Sequence, residues 1–431
     1  MATKKTKPTT DKTKKKNWWQ MLGPGLITGA SDNDPSGIAT YSQAGAQFGF
    51  GLLWTMLFSY PLMSSIQDIS AEIGRVTGYG IAGNLRRYYP QWLTYGITGL
   101  MVIANTINLG ADIGAMGSAL KLLNGGSALL YASMFAIISL VLEITVPYRK
   151  YASILKWLTL VLFAYVATVL VIHVPWGDAL RATVIPSLSF RLDYITTLVA
   201  ILGTTISPYL FFWQASQEVE ETEITPSDQP LKKTPEQAPE QLKRIRFDTY
   251  IGMGFSNIIA FFIILTSAVT LHTQGKVDIQ TASEAAEALR PIAGNLAFFL
   301  FSVGIIGTGL LAVPVLAGSA AYGMGEALKW PTGLERKPLE AKGFYVILAI
   351  STLIGLGMNF FTSIDPVKAL FWSAVINGVV APPVMLVMML MSTNPKVMGE
   401  FTISKYLKIG GWLATSVMFV AAAGLFLTWK S

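Results

Sequence analysis

Eleven apolar runs of 18 or more residues divide this chain, at about 22–48, 51–74, 93–120, 124–147, 151–173, 195–217, 248–272, 292–325, 341–362, 366–392 and 410–429. A run of that length, wound as an α-helix, spans the hydrocarbon layer of a bilayer. The runs fill most of the 431 residues and leave no room for a separate soluble domain. Charged residues make up 13%, about half the usual share in soluble proteins. The pattern predicts an all-α integral membrane protein with 11 transmembrane helices and excludes a soluble enzyme, a secreted module and a disordered chain. The absence of cysteine excludes disulfides, thiol catalysis, iron–sulfur clusters and Cys-ligated zinc. With no Ser-His-Asp set, Walker loop or His-Glu-x-x-His stretch, no catalytic residues and no cofactor are expected.

Loop charge sets the expected orientation. With the N-terminus in the cytoplasm, 25 of the 32 Lys and Arg fall on the inner side and 7 on the outer. This predicts a multi-pass plasma (inner) membrane protein with a cytoplasmic N-terminus and an extracellular C-terminus. The net charge of +7 resides almost wholly in the basic tail, 1–18, which carries seven lysines. It reads as an orientation anchor and not as a nucleic-acid surface, so the lipid bilayer is the expected partner and the chain is expected to be monomeric. Residues 218–247 hold Pro226, Pro230, Pro235 and Pro239 among Glu and Lys, which suggests an extended cytoplasmic connector.

Two runs are interrupted. The first contains Ser31-Asp32-Asn33-Asp34-Pro35-Ser36-Gly37, and the sixth contains Gly203-Thr204-Thr205-Ile206-Ser207-Pro208-Tyr209. Proline removes a backbone donor and clashes with the preceding turn, so both helices should break mid-span, the first near residues 33–37. Spans 1 and 6 then head two five-helix repeats, 19–173 and 174–392, with span 11 in 393–431 outside the repeat. Interrupted helices at matching positions mark a transporter's central site. The donors at the breaks are the Asp34 carboxylate, Asn33, Ser36, Thr204, Thr205, Ser207 and freed carbonyls. All are oxygen, which suits Mg²⁺, Ca²⁺ or Mn²⁺, and Na⁺ as well. One carboxylate with hydroxyls is too little to strip Mg²⁺, so a partly hydrated divalent ion is the natural guest.

Gly23-Pro24-Gly25, the Asp34-Pro35 break, Gly45-Ala46-Gln47-Phe48-Gly49 and Leu53-Trp54 resemble the start of an Nramp-type divalent metal transporter. Gln67, Glu72, Gly74-Arg75 and Thr77-Gly78 continue the resemblance through helix 2, and it extends over all eleven spans. It implies a LeuT-type 5+5 inverted repeat. Where typical members read Asp-Pro-Gly-Asn, this chain reads Asp34-Pro35-Ser36-Gly37, so the ligating Asn becomes Gly37. Where they read Ala-Thr-Val-Met-Pro-His, it reads Thr204-Thr205-Ile206-Ser207-Pro208-Tyr209. The metal-binding Met thus becomes Ser207, and the His linked to proton movement becomes Tyr209. The acidic pair of helix 3 retains only Asp112, and the helix 10 Gln falls on Ala374 with Asn377 one turn on. Losing a thioether and shrinking two side chains favours hard, hydrated ions. The pattern resembles the Nramp-related magnesium transporters, which implies carriage of Mg²⁺ and Mn²⁺ without proton coupling.

The expected metal positions are therefore Asp34, Gly37, Thr204, Thr205, Ser207 and Asn377, with Tyr209, Asp112, Ala374 and Glu72 along the pathway or at its gates. Rival readings are a proton-coupled transition-metal transporter, an organic-solute carrier, a channel or a non-transporting metal sensor on the same fold. Asp68 and Glu72 with Arg75 read as a cytoplasmic gate network or a plain ion pair. Glu218, Glu220 and Glu221 read as a solvated acidic loop, Glu143 as an in-span polar contact, and Glu326 with Lys329 as a helix-end pair. His173 and His272 fall at outer span ends. Asp34 stands as the acid of the helix break.

Overall fold

The computed structural model describes residues 24–147, 150, 157–225, 227–361 and 365–429. The basic tail 1–18, Gly23 of the amino-terminal motif and the start of the fifth run lie outside them. Among the described residues there is no strand. In chain order the main helices are α1 (Pro24–Asp32), α2 (Pro35–Phe48), α3 (Trp54–Thr77), α4 (Ile81–Tyr88), α5 (Gln91–Asn124), α6 (Ala128–Thr145), α7 (Phe163–Val171) and α8 (Trp176–Val184). They continue as α9 (Leu192–Thr205), α10 (Pro208–Ile224), α11 (Ala238–Thr270), α12 (Ala297–Leu328), α13 (Lys342–Phe361), α14 (Pro366–Ser392) and α15 (Lys405–Trp429). The first and sixth apolar runs are thus broken into α1/α2 and α9/α10, the first members of the two expected repeats.

The outside of the bundle is apolar. On α6, Leu130, Met134, Ile137, Val141 and Ile144 recur every three or four residues and all are exposed. On α15, Leu413, Val420 and Leu427 do the same at intervals of one heptad. Stripes of this kind suit lipid rather than water. The polar residues lie inside, among them Asp32, Asp34, Asp112 and Asn108, all buried. Eight helical stretches among the described residues are long and apolar enough to cross a membrane on length and composition alone. The α1/α2 pair and α3 are not among them. A break shortens the first, and Gln67, Asp68, Glu72 and Arg75 dilute the second.

Close backbone contact fixes the centre. α1 lies against α11, where a Cβ on Gly29 would sit 2.2 Å from the Gly252 carbonyl oxygen. α9 lies against α14, where a Cβ on Gly203 would sit 2.1 Å from the Ala374 carbonyl oxygen. Only glycine permits either approach. α5 packs on α12, α6, α13 and α14, and brings its polar face to the α1/α2 break.

The stretch expected as an extended connector over 218–247 is mostly helical. α10 runs on to Ile224 and α11 begins at Ala238, leaving a short link between them. Burial of the acids in this stretch, described below, holds the helices together.

Candidate functional site

The first break is tighter than the sequence suggests. Helix stops at Asp32 and resumes at Pro35, so only Asn33 and Asp34 are unwound. Asp34 is the N-cap of α2, with φ −66° and ψ 172°, and proline occupies the first helical position. That position has no intrahelical acceptor for its N–H, so proline costs nothing there. The Asp34 Oδ1 accepts from the Gly37 N–H at 2.7 Å and from Ser36 Oγ at 2.7 Å. Ser36 and Gly37 are therefore helical, and Gly37 supplies an amide donor and space. A Cβ there would lie 3.2 Å from Thr204 Oγ1. The second break falls likewise before a proline, with α9 ending at Thr205, Ile206 as its C-cap, Ser207 as N-cap without a side-chain cap bond, and Pro208 opening α10.

Two further donors reach the other oxygen of Asp34. Asn108 Nδ2 on α5 donates to Oδ2 at 3.1 Å, and the Tyr209 hydroxyl lies 3.4 Å from it. Tyr209 also stands 3.3 Å from the Ser31 carbonyl oxygen, and its one proton serves one of the two. Asn108 Oδ1 in turn accepts from Ser373 Oγ on α14 at 2.7 Å. The carboxylate is thus positioned by α2, α5, α10 and, through Asn108, α14. Asn108 was not foreseen. Its signal was its place four residues before Asp112, on the same face of α5.

Across the break, Ser207 Oγ donates to the Gly203 and Thr204 carbonyl oxygens at 2.7 and 2.8 Å. Thr205 Oγ1 donates to Ile201 at 2.9 Å. Both hydroxyl protons are committed to the backbone, which leaves oxygen lone pairs for a cation. Both amide atoms of Asn377 on α14 are buried and without a hydrogen-bond partner. Ala374, one turn earlier, meets Gly203 through its carbonyl.

Asp34 is not alone at the break. Asp32, the last residue of α1, is fully buried, and Ser256 Oγ on α11 donates to its Oδ2. Asp112 on α5 is also buried, with its carboxyl facing the Ser36 backbone N–H in the first turn of α2. Asp32, Asp34 and Asp112 all lie within electrostatic reach of Tyr209. Among the described residues none of the three pairs with a basic side chain. Three acids buried without a cationic partner bias the surroundings of the break toward a cation. The expectation of a single acid at the break is corrected accordingly.

The acids nearer the α4 and α10 ends have other partners than expected. Asp68 and Glu72 face Arg246 of α11 at 3.4 and 3.8 Å, whereas Arg75 pairs with Asp228 at 2.6 Å. Glu72 therefore sits in a peripheral ion-pair group and not with Asp34. Glu218 and Glu220 are buried helix residues, not a solvated loop. Glu218 pairs with Arg244 at 2.5 Å, and Glu220 accepts from the Tyr322 hydroxyl at 2.6 Å and the Leu334 N–H at 2.7 Å. Glu326 does not pair with Lys329. It accepts from the N–H groups of Gly80 and Gly83 at 3.1 and 2.8 Å, where the free amides that start α4 favour an anion. Asp248 does the same for α1, accepting from Gly25 N–H at 2.7 Å and Leu26 N–H at 3.0 Å. At the opposite end of the bundle a cavity of about 560 Å³ is lined by Gln43, Gln47, Asp193, Thr197, Lys368 and Trp372.

Known proteins share this fold. Divalent metal cation transporters from Caldanaerobacter subterraneus and Klebsiella pneumoniae are 26% and 24% identical, over 96% and 92% of this chain and 94% and 91% of theirs. A manganese transporter of Eremococcus coleocola superposes with a TM-score of 0.75 at 17% identity, covering 96% of this chain and 88% of that one. The nucleobase–cation symporter Mhp1 superposes with a TM-score of 0.56 at 14% identity, covering 95% of this chain and 93% of its own. The fold is thus the LeuT-type helical bundle, and the chain is a membrane protein and not an enzyme. Residues 25–428 match the family described as natural resistance-associated macrophage protein-like, and the chain belongs to this Nramp family.

Proposed function

We propose that this chain is a secondary transporter that imports divalent metal ions, partly hydrated Mg²⁺ and also Mn²⁺, by alternating access and without proton coupling. The curated relatives are named as divalent metal cation transporters, which supports the divalent class. The observation that carries Mg²⁺ is the donor set. Asp34, Thr204, Thr205, Ser207 and Asn377 offer oxygen, and no thioether or imidazole stands in either break. Hard oxygen sites with room for water suit an ion that dehydrates reluctantly. Asp34 ligates the ion, Ser207, Thr205 and Thr204 add hydroxyl oxygens, and Asn377 completes the far side. Tyr209 orients the Asp34 carboxylate through its hydroxyl.

Uptake needs no proton gradient on energetic grounds. The membrane potential supplies about 2.3 kcal/mol per charge per 100 mV, and about twice that for a divalent ion. The reading includes a monomer in the plasma membrane with its N-terminus in the cytoplasm. The ion is cargo and not a resident cofactor.

Proteoliposomes holding Mg²⁺- and pH-sensitive dyes test this directly. Mg²⁺ should enter, Mn²⁺ should compete, and the lumen should not acidify at zero potential. Entry of Mn²⁺ and Cd²⁺ with no Mg²⁺ entry or competition would refute the Mg²⁺ assignment. Metal-dependent acidification would refute the uncoupled mechanism.

A further inference from the structure

Asp32 is left without a role by a site centred on Asp34. It closes α1 two residues earlier and is fully buried. Its Oδ2 accepts from Ser256 Oγ, while its Oδ1 has no hydrogen-bond partner. Asn33 repeats the pattern. Its Nδ2 donates to the Ser256 carbonyl oxygen at 3.4 Å, and its Oδ1 is buried without a partner. One residue of α11 therefore holds both side chains of the break, and each keeps an acceptor oxygen unspent. A buried acceptor normally finds a donor, so two at one break call for a missing donor. Among the described residues no basic side chain pairs with Asp32 or Asp34.

Among the described residues no three acids converge closely enough to hold a metal ion together. A bound water extends an ion's reach by one hydrogen bond, ~2.7 Å. The water shell of a divalent cation also supplies the donors that the two free oxygens lack. Mg²⁺ keeps its water most firmly and so gains most from such acceptors.

Building on the reading of a hydrated divalent cargo, we infer that Asp32 and Asn33 form an outer half of the cation site, accepting hydrogen bonds from the ion's water while Asp34 ligates the ion itself. Ser256 is the positioning residue that aims both. The arrangement makes Asp32 a specificity-determining residue, since its contribution scales with how much water the ion retains.

Calorimetric titration of the purified full-length protein with Mg²⁺ and Mn²⁺ tests the assignment, with Asp32→Asn and Ser256→Ala beside the parent. Asp32→Asn should weaken Mg²⁺ at least tenfold and Mn²⁺ no more than threefold. Ser256→Ala should shift the ratio in the same direction by a smaller factor, and it carries the test if Asp32→Asn does not fold. A ratio unchanged in both variants, whether through no loss or equal loss for the two ions, overturns the inference. If the parent binds Mn²⁺ but no Mg²⁺, the Mg²⁺ function itself fails. Asp32 is then judged on Mn²⁺ alone: a measurable loss, expected at two- to threefold, keeps it in the site, and unchanged affinity removes it.

Discussion

Alternating access as proposed requires α1 to part from α11, and Asp248 is the latch that opposes it. Its carboxylate holds the Gly25 and Leu26 N–H groups at 2.7 and 3.0 Å. A hydrogen bond to a charged group contributes ~1.5–3 kcal/mol, so two give about 3 kcal/mol at the lower bound. Removing that from the closed state alone shifts an open–closed equilibrium by roughly 150-fold. Asp248→Ala should therefore populate the separated form, and Asp248→Asn, which keeps one acceptor oxygen, should fall between. The chain has no cysteine, so an Ala30→Cys reporter is unique. Ala30 is 5% exposed, on the buried side of α1. Its alkylation rate, measured in vesicles open to the reagent on the α1 side, should rise by about two orders of magnitude in the Asp248→Ala background. A rate within threefold of the parent would refute the latch, because the bonds would then not distinguish the two states.

Ser207→Met restores a soft donor at the second break, and should raise Cd²⁺ affinity while lowering that for Mg²⁺ at least tenfold, as read by titration. Gly203→Ala should abolish folding or transport, since its Cβ would sit 2.1 Å from a backbone oxygen of α14, and size-exclusion profiles in detergent would reveal it. Glu326→Gln removes the carboxylate that caps α4 and should cost about 1 kcal/mol, seen as a fall of roughly 1 °C in Tm. A C-terminal reporter active only in the cytoplasm should stay silent.

The two helix breaks were legible because proline acts locally, on its own turn. Their length was not: Asp34 caps the next helix with its own side chain, which closes the gap that Ser36 and Gly37 were expected to fill. The hydroxyl residues beside the second break are likewise neighbours in sequence. Asn108 and Ser256 could not be weighed so easily, because they reach the break from α5 and α11, 74 and 224 residues away in sequence. The acids failed for the same reason. Asp68 and Arg246 are 178 residues apart, so nearness in sequence favoured Arg75. Glu218 and Glu220 read as solvated because an isolated acid prefers water. Arg244, Tyr322 and the Leu334 amide make burial affordable, and α10 continues through what was read as a loop.

The contact of α1 with α11 has a kinetic side. At Gly29 and Gly252 the two helices meet backbone to backbone, with no side chain between them at that point. Parting such faces withdraws no knob from a hole and asks no rotamer to change. The barrier to separation then rests with the polar bonds on either side, from Asp248 to the start of α1 and from Ser256 to Asp32 and Asn33. The speed of this motion is thereby decoupled from the rigidity of the bundle. A substitution that roughened the glycine face would slow the cycle even if it left both end states equally stable.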